Sequence, residues 1–305
     1  GDEYLNISQE PIRRTLPKLL QIQPRFAEAA FRQACGLPPL PASVRVVEWL
    51  QSQSENLKPI IDADLHHDPL AFIDLGISSP LLGLDKASRT ETTQTARIFE
   101  QMENTGARVG IGLYDEARVL YLDPAFNNRS VHLGVDLFAH PDTPVYAPLP
   151  GVVHAIHNNT APNDYGPVII LAHQTDDGTP FYTLYGHLSL ESLDCLNPGQ
   201  PIAAGEQIGE IGSAEVNGGW TPHLHIQIII DLLDLDHDFP GICLAGQRDL
   251  WKVFSPDPNL LLGIPDERFP DRPPSKAQTA ENRRQLLGGN LSLGYREPLK
   301  IVRGW

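Results

Sequence analysis

Several things are scarce in this chain, and each scarcity closes off a class of protein. Only 3 of the 305 residues are cysteine, and Cys35, Cys195 and Cys243 lie far apart with no C-x-x-C pair. An odd, scattered set of thiols does not make a disulfide framework and suits a reducing compartment. Positive charge is also in short supply: 23 Lys and Arg stand against 38 Asp and Glu, a net charge of −15. Nucleic-acid and membrane-surface binding need clustered Lys and Arg, so neither partner is expected. Long apolar runs are missing; the longest are strand-length, which predicts no transmembrane helix. The opening G-D-E-Y-L-N-I-S-Q-E is acidic and has no apolar stretch of the kind a secretory signal carries. Together these features predict a cytoplasmic protein.

What is present suffices for a sizeable core. Hydrophobic residues make up 41% and charged residues 20%, enough for one large domain or two modest ones. Leu16, Leu19, Leu20, Ile22, Phe26, Ala30 and Phe31 recur at helical spacing and predict helix over 10–35, with Pro17 and Pro24 marking starts or breaks. A second helix is expected over 43–57 and a third over 88–103, while 58–86 is turn-rich and predicts no definite element. From Arg108 the text turns to short apolar runs separated by Gly, Pro, Asn and Asp, at 108–113, 117–122, 131–138, 152–157, 167–172, 181–187 and 223–230. Such spacing predicts a mainly β fold built on an antiparallel sheet, with a helical region before it. The stretch 262–285 is rich in Pro and charge and reads as a linker.

Two of these runs carry chemistry. In V-H-L-G-V-D-L-F-A (131–139), Val131, Leu133, Val135 and Leu137 alternate with His132, Gly134 and Asp136. In P-H-L-H-I-Q-I-I-I (222–230), Leu224, Ile226, Ile228 and Ile230 alternate with His223, His225 and Gln227. Alternate residues of a strand share a face, so His132 pairs with Asp136, and His223 with His225, opposite apolar stripes. Side by side in one sheet, these strands would converge imidazole, carboxylate and imidazole on one spot. That is the donor set of a catalytic zinc site, three N/O ligands with a fourth position left for water. Either His223 or His225 could complete it. A lone histidine in a strand is more often a structural residue, and one-face-buried strands alternate in any case, so spacing alone does not decide.

H-L-G-V-D at 132–136, Y-G-H-L-S at 185–189 and P-H-L-H at 222–225 together resemble the M23 (lysostaphin/LytM-like) zinc metallopeptidases. T-P-V-Y-A-P-L-P-G-V-V (143–153) and G-Q-P-I-A-A-G-E-Q-I-G-E-I-G (199–212) resemble the family's intervening stretches, so the likeness runs over about 107–232. The resemblance implies a metallopeptidase domain over 107–261. It implies zinc held by His132, Asp136 and His225, with His187 and His223 as catalytic histidines. It also implies endopeptidase action on short glycine- or D-amino-acid-containing peptides, peptidoglycan cross-links being the family's usual substrate. A non-catalytic, metal-stabilised scaffold or ligand-binding domain is the alternative.

The flanks carry two further resemblances. The N-terminal Y-L-N-I-S through F-R-Q-A-C-G-L resembles a segment that follows an aminoglycoside-phosphotransferase-like kinase, and 281–305 resembles the opening of class III, PLP-dependent aminotransferases. These imply a kinase–M23–aminotransferase fusion of which this chain is the middle piece, Gly1 being a cloning remnant. The implied layout is a helical region and connector over 1–106, the metallopeptidase domain over 107–261, and over 262–305 a linker leading into an aminotransferase-like segment. No PLP-binding lysine context is present, so no aminotransferase activity is expected here.

One departure bears on mechanism. Many M23 relatives have a tyrosine a few residues before the first ligand as an oxyanion stabiliser; here Phe126 stands six before His132, with Tyr121 further off. Trp220, just before P-H-L-H, either narrows the cleft or offers a stacking surface, or else simply anchors its loop. Asn158, Asn159 and Asn217 are candidates for a side chain that plugs the site. D-A-D-L-H-H-D (62–68) offers ligands for a second metal, although acidic loops of this kind are usually solvated. His140, His154, His157, His173 and His237 have no partner at convincing spacing.

Overall fold

The computed structural model describes residues 23–76, 79, 81, 90–118, 126 and 129–270. The kinase-like and aminotransferase-like stretches therefore lie largely outside the described residues, as do Tyr121 and the first half of the helix expected over 10–35. That helix is present as α1 (Pro24–Ala34), with a proline in its first turn, where the missing N–H costs nothing. Helix α2 (Pro41–Ser52) also begins on proline and presents Val46 and Leu50 to the core. It stops short of residue 57, closed by Ser52, whose hydroxyl donates to the Trp49 carbonyl. Strand β1 (Leu70–Ile73) rises from the stretch for which the sequence predicts no element. Helix α3 (Glu91–Thr105) follows, capped by the Thr90 side chain, which accepts from the Thr93 N–H, and closed by left-handed Gly106.

The remaining strands are β2 (Val109–Gly112), β3 (Val131–His132), β4 (Val135–Phe138), β5 (Pro144–Tyr146), β6 (Gly151–Asn159), β7 (Gly166–Gln174), β8 (Pro180–Gly186), β9 (Pro201–Ile202), β10 (Gln207–Glu210), β11 (His223–Ile229) and β12 (Ile242–Cys243). Eight form one sheet in the order β1-β2-β4-β11-β8-β7-β6-β9. Every neighbouring pair is antiparallel except β1 and β2. The exception has a local cause: parallel neighbours need a crossover, and α3 supplies it. Its Ile98 and Met102 pack on Ala71, Ile73 and Phe138. The mainly β fold with a helical N-terminal region is thus present, with one parallel pair at the edge.

One face of the sheet holds the larger core, where Leu224, Ile226 and Ile228 of β11 meet Leu137, Leu171 and Tyr185 under α2. The other face is divided. Ile170, Leu184 and Ile229 pack on Phe239 and on Leu250 and Phe254 of α4 (Arg248–Phe254); the polar positions of β4 and β11 occupy the rest. Residues 262–269, read from sequence as linker, are part of the fold. Leu262 closes α5 (Asn259–Leu262), Ile264 is buried in the larger core, and Phe269 packs against it. The Arg268 guanidinium donates to the carbonyls of Leu65 and Asp68. Charge and proline dominate that stretch, but its few apolar residues recur where they can reach the core.

Candidate metal centre

Sheet register brings the predicted ligands together. His225 of β11 lies directly opposite Asp136 of β4, and opposite Gly186 of β8 on its other side. Directly opposed residues of neighbouring strands project from the same face. His132 arrives differently. The expected single strand over 131–138 is broken at Leu133–Gly134, so β3 leaves the sheet and pairs with β12, Ile242 opposite His132. Gly134 lies beneath the His225 ring: a Cβ there would sit 2.4 Å from His225 Cε1 and 2.8 Å from the Ile226 carbonyl oxygen. Only glycine allows so close an approach.

The donor atoms form a tight triangle. His132 Nε2 is 3.1 Å from His225 Nδ1, and Asp136 Oδ1 is 3.2 Å from each. The other nitrogen of each ring fixes its tautomer. His132 Nδ1 faces the Leu113 carbonyl at 3.0 Å, which can only accept, so that nitrogen carries the proton. Gln227 donates through Nε2 to Pro240 O and Ser255 Oγ, leaving its Oε1 to accept from His225 Nε2 at 2.9 Å. Two imidazole lone pairs and a carboxylate oxygen therefore converge with no proton between them, an arrangement that a cation would satisfy. A tetrahedral zinc ion with bonds of about 2.0–2.1 Å sets its donors about 3.3 Å apart, so the residues fit the ion. Among the described residues this is the one group of three His, Cys, Asp or Glu side chains that could hold a metal.

Electrostatics favour the ligand forms. Burial, helped by the charge of Arg118, pushes His132 down to about 4, keeping it neutral near pH 7. For Asp136 burial acts the other way, but its charged and hydrogen-bonding neighbours, the Arg118 guanidinium among them, outweigh it and hold the carboxyl well below its ordinary range. Arg118 was not among the residues the sequence singled out. Its Nη1 donates to Asp136 Oδ2 at 2.6 Å and its Nε to Glu116 Oε2 at 2.9 Å, all three side chains being buried. With one carboxylate oxygen occupied, Asp136 offers the other to the site. The available sequence signal was Glu116 and Arg118, one just before and one inside the strand-like run starting at 117.

The two remaining histidines stand at the rim of the triangle. His223 Nδ1 donates to Thr221 O at 2.6 Å and His187 Nδ1 to Asn217 O at 2.8 Å, which leaves both Nε2 atoms as acceptors. Their rings are 4.3 Å apart, and His223 Nε2 is 3.6 Å from Asp136 Oδ1. Burial lowers both pKa values, that of His187 far below its ordinary range. Alternation through F-Y-T-L-Y-G-H (181–187) predicts that Phe181, Thr183, Tyr185 and His187 share a face, but His187 does not lie with Tyr185. It sits just past β8 with φ of 62°, and this left-handed turn carries it away from the core, where Tyr185 lies, to the metal face.

A cavity of about 350 Å³ opens over this cluster. Trp220 is anchored in its loop and also lines the cavity. Its backbone is held by the Asn217 side chain and its Nε1 by the Asp164 carbonyl, while its ring lines the cavity beside Phe126. Asn217 is thereby engaged within its own loop, and Asn158 and Asn159 do not line the cavity, so none of the three plugs it. Phe126 lines the wall without a hydroxyl. Tyr165, which the sequence did not point out, lies 5.4 Å from the His225 ring, its hydroxyl donating to Phe239 O. Helix α3 reaches the cavity through Gln94 and Ile98, and Thr95 donates to Thr221 next to His223.

The other histidines have local partners. His67 pairs with Asp64 on the surface, and no second metal-binding group forms there among the described residues. His173 is buried between Pro150 O and Thr183 Oγ1. His140 stacks on Phe99, His157 stacks on His237, and His154 faces Asp236.

Residues 130–236 match the family model described as Peptidase family M23. No curated protein matches the chain by sequence. Solved structures similar to it include a zinc-containing peptidase from Vibrio cholerae, at 25% identity over 32% of this chain and 27% of that one, with a TM-score of 0.26. The catalytic domain of lysostaphin from Staphylococcus simulans aligns at 28% identity over 33% of this chain and 68% of its own, with a TM-score of 0.26. The catalytic domain of the prophage-encoded M23 protein EnpA from Enterococcus faecalis aligns at 22% identity over 34% and 72%, with a TM-score of 0.28. The match thus spans little more than a quarter of the Vibrio cholerae chain. The family match and the five-residue cluster coincide: residues 130–236, which match the peptidase M23 family model, hold His132, Asp136, His187, His223 and His225.

Proposed function

We propose that this domain is a zinc-dependent peptidase that hydrolyses an amide bond in short peptides, with glycine- or D-amino-acid-containing peptides as the substrate class. The observation that carries the reading is the proton-free triangle of His132 Nε2, Asp136 Oδ1 and His225 Nδ1 within 3.1–3.2 Å of one another. These three residues would hold the ion. Zinc bound there supplies Lewis acidity, lowering the pKa of water to about 7 and polarising a carbonyl. His223 Nε2, an acceptor with its Nδ1 proton committed to Thr221, takes a proton from the attacking water. His187 Nε2 is likewise an acceptor, so it orients that water; only once protonated can it donate to the developing oxyanion or the departing amine. Water adds across the C–N bond, one product leaving as a carboxylate and the other as an amine. The Asn217 and Thr221 carbonyls hold the Nδ1 protons, so each Nε2 is an acceptor before the proton transfer.

The same reading includes a cytoplasmic setting and fusion to kinase and aminotransferase modules, tested by the intact mass and fractionation of the protein from its native cells. The first experiment on the site is zinc per chain. The parent should carry one zinc and His225→Ala none, while His223→Ala should keep the metal and lose turnover. A parent that binds no zinc after add-back would end the hydrolase reading. A non-catalytic, metal-stabilised domain is the second reading, favoured by Phe126, which lines the cavity with no hydroxyl to offer an oxyanion. It requires His223→Ala to leave the protein's function intact.

A further inference from the structure

The cavity wall carries two arginines, Arg118 and Arg129, and they are not equivalent. Arg118 is committed to Glu116 and Asp136. Arg129 is anchored at its base: its backbone N–H and its Nε both donate to the Phe126 carbonyl, at 2.9 and 3.1 Å. No carboxylate among the described residues pairs with it. With Nε engaged, the Nη1 and Nη2 groups remain as an end-on fork, the geometry that matches a carboxylate with two parallel hydrogen bonds. Beside it Phe126, Ile242 and Trp220 form an apolar wall.

The setting makes a single cation informative. The chain carries a net charge of −15, and Asp164 and Asp238 also line the cavity, so it is no general sink for anions. A polyanion would meet those two carboxylates; one carboxylate placed at the fork would not have to. The fork and the metal-ligand triangle share about 350 Å³, so a group held by one adjoins the bond held at the other.

We propose that Arg129 binds a substrate carboxylate on a residue adjoining the scissile amide, making the substrate a carboxylate-bearing short peptide. This rests on the hydrolase reading above. The carboxylate has two sources, a free C-terminus or an acidic side chain, while the apolar wall receives the rest of that residue.

The test uses the zinc-loaded full chain and N-acetylated di- to tetrapeptides, each made as the free acid and the C-terminal amide, and with Glu or Gln beside the scissile bond. Release of new amines is followed by mass spectrometry. Removing a charged hydrogen-bond partner should change rates about tenfold to a hundredfold. The expected result is a preference of that size for the free acid or for Glu, which also tells the two sources apart. Arg129→Ala should erase the preference with zinc content unchanged, and Arg129→Lys should restore part of it. Equal rates for acid and amide and for Glu and Gln, or a preference that survives in Arg129→Ala, would overturn the proposal. In parallel, N-acetylglycine and N-acetylglycinamide are titrated into the same proteins by calorimetry. Carboxylate-selective binding lost in Arg129→Ala, in a protein that cleaves nothing, would uphold the carboxylate site and reject the hydrolase reading. Turnover without carboxylate preference would do the reverse.

Discussion

At the scale of single residues, Gly134 and Arg118 set the terms of the metal centre. A methyl group on Gly134 would meet the His225 ring at 2.4 Å and the Ile226 backbone at 2.8 Å, so the ring must move. Gly134→Ala is expected to destabilise the fold by about 1–3 kcal/mol through overpacking and to lower zinc content, read by urea unfolding and metal analysis. Arg118→Ala acts through charge, leaving the buried carboxylates of Asp136 and Glu116 without their shared cation. The loss should be about 3–5 kcal/mol in the metal-free protein, and bound zinc should recover part of it by taking up the charge of Asp136. Asp136, His223 and His225 were legible because strand alternation reports a shared face from sequence alone; His132 reaches the same triangle although the strand breaks between it and Asp136. Arg118 was not, since nothing local indicates that its partner lies 18 residues away.

At the scale of elements, the strand pattern was right in kind and wrong in continuity. The run 131–138 is two strands in two sheets, and the break lets His132 approach from a different direction than Asp136. Alternation also placed His187 with Tyr185, where a left-handed residue after β8 reverses its face. Both errors have one cause: periodicity assumes an uninterrupted strand, and neither the change of sheet at 133–134 nor the left-handed turn at His187 is written in the alternation. The C-terminal boundary makes a third case. A chain ending at 261 loses Leu262, Ile264, Arg268 and Phe269, of which Ile264 is almost wholly buried. Burying one such side chain is worth about 1.5–3 kcal/mol. Cutting after 261 should therefore lower the melting temperature and the denaturation midpoint well below those of a chain cut after 270, as thermal and urea unfolding would show.

At the scale of the whole molecule, the buried histidines make the metal-free fold sensitive to acid. Burial holds His132 and His173 down to about 4 and lowers His187 and His223 as well. The unfolded chain has histidines near 6.5, so it binds more protons than the folded one between about pH 6.5 and 4. The stability from keeping these rings neutral is fully present above that window and is lost as pH falls through it. Asp136, whose folded value is depressed, adds a further loss below about pH 4. Urea midpoints of the metal-free protein should fall steadily from pH 7 to 4, and saturating zinc should shift that decline to lower pH, because the metal competes with protons for the same nitrogens. By itself the sequence determined the class of fold, the donor types and the two strands that carry most of them, since each is written in local alternation and residue chemistry. Only the tertiary structure decided that β4 and β11 are neighbours in register, that His187 turns to the metal face, and that Arg118 is spent while Arg129 has no acidic partner among the described residues. Those facts depend on distances between segments far apart in the chain, which register, backbone dihedrals and packing fix only once the sheet has formed.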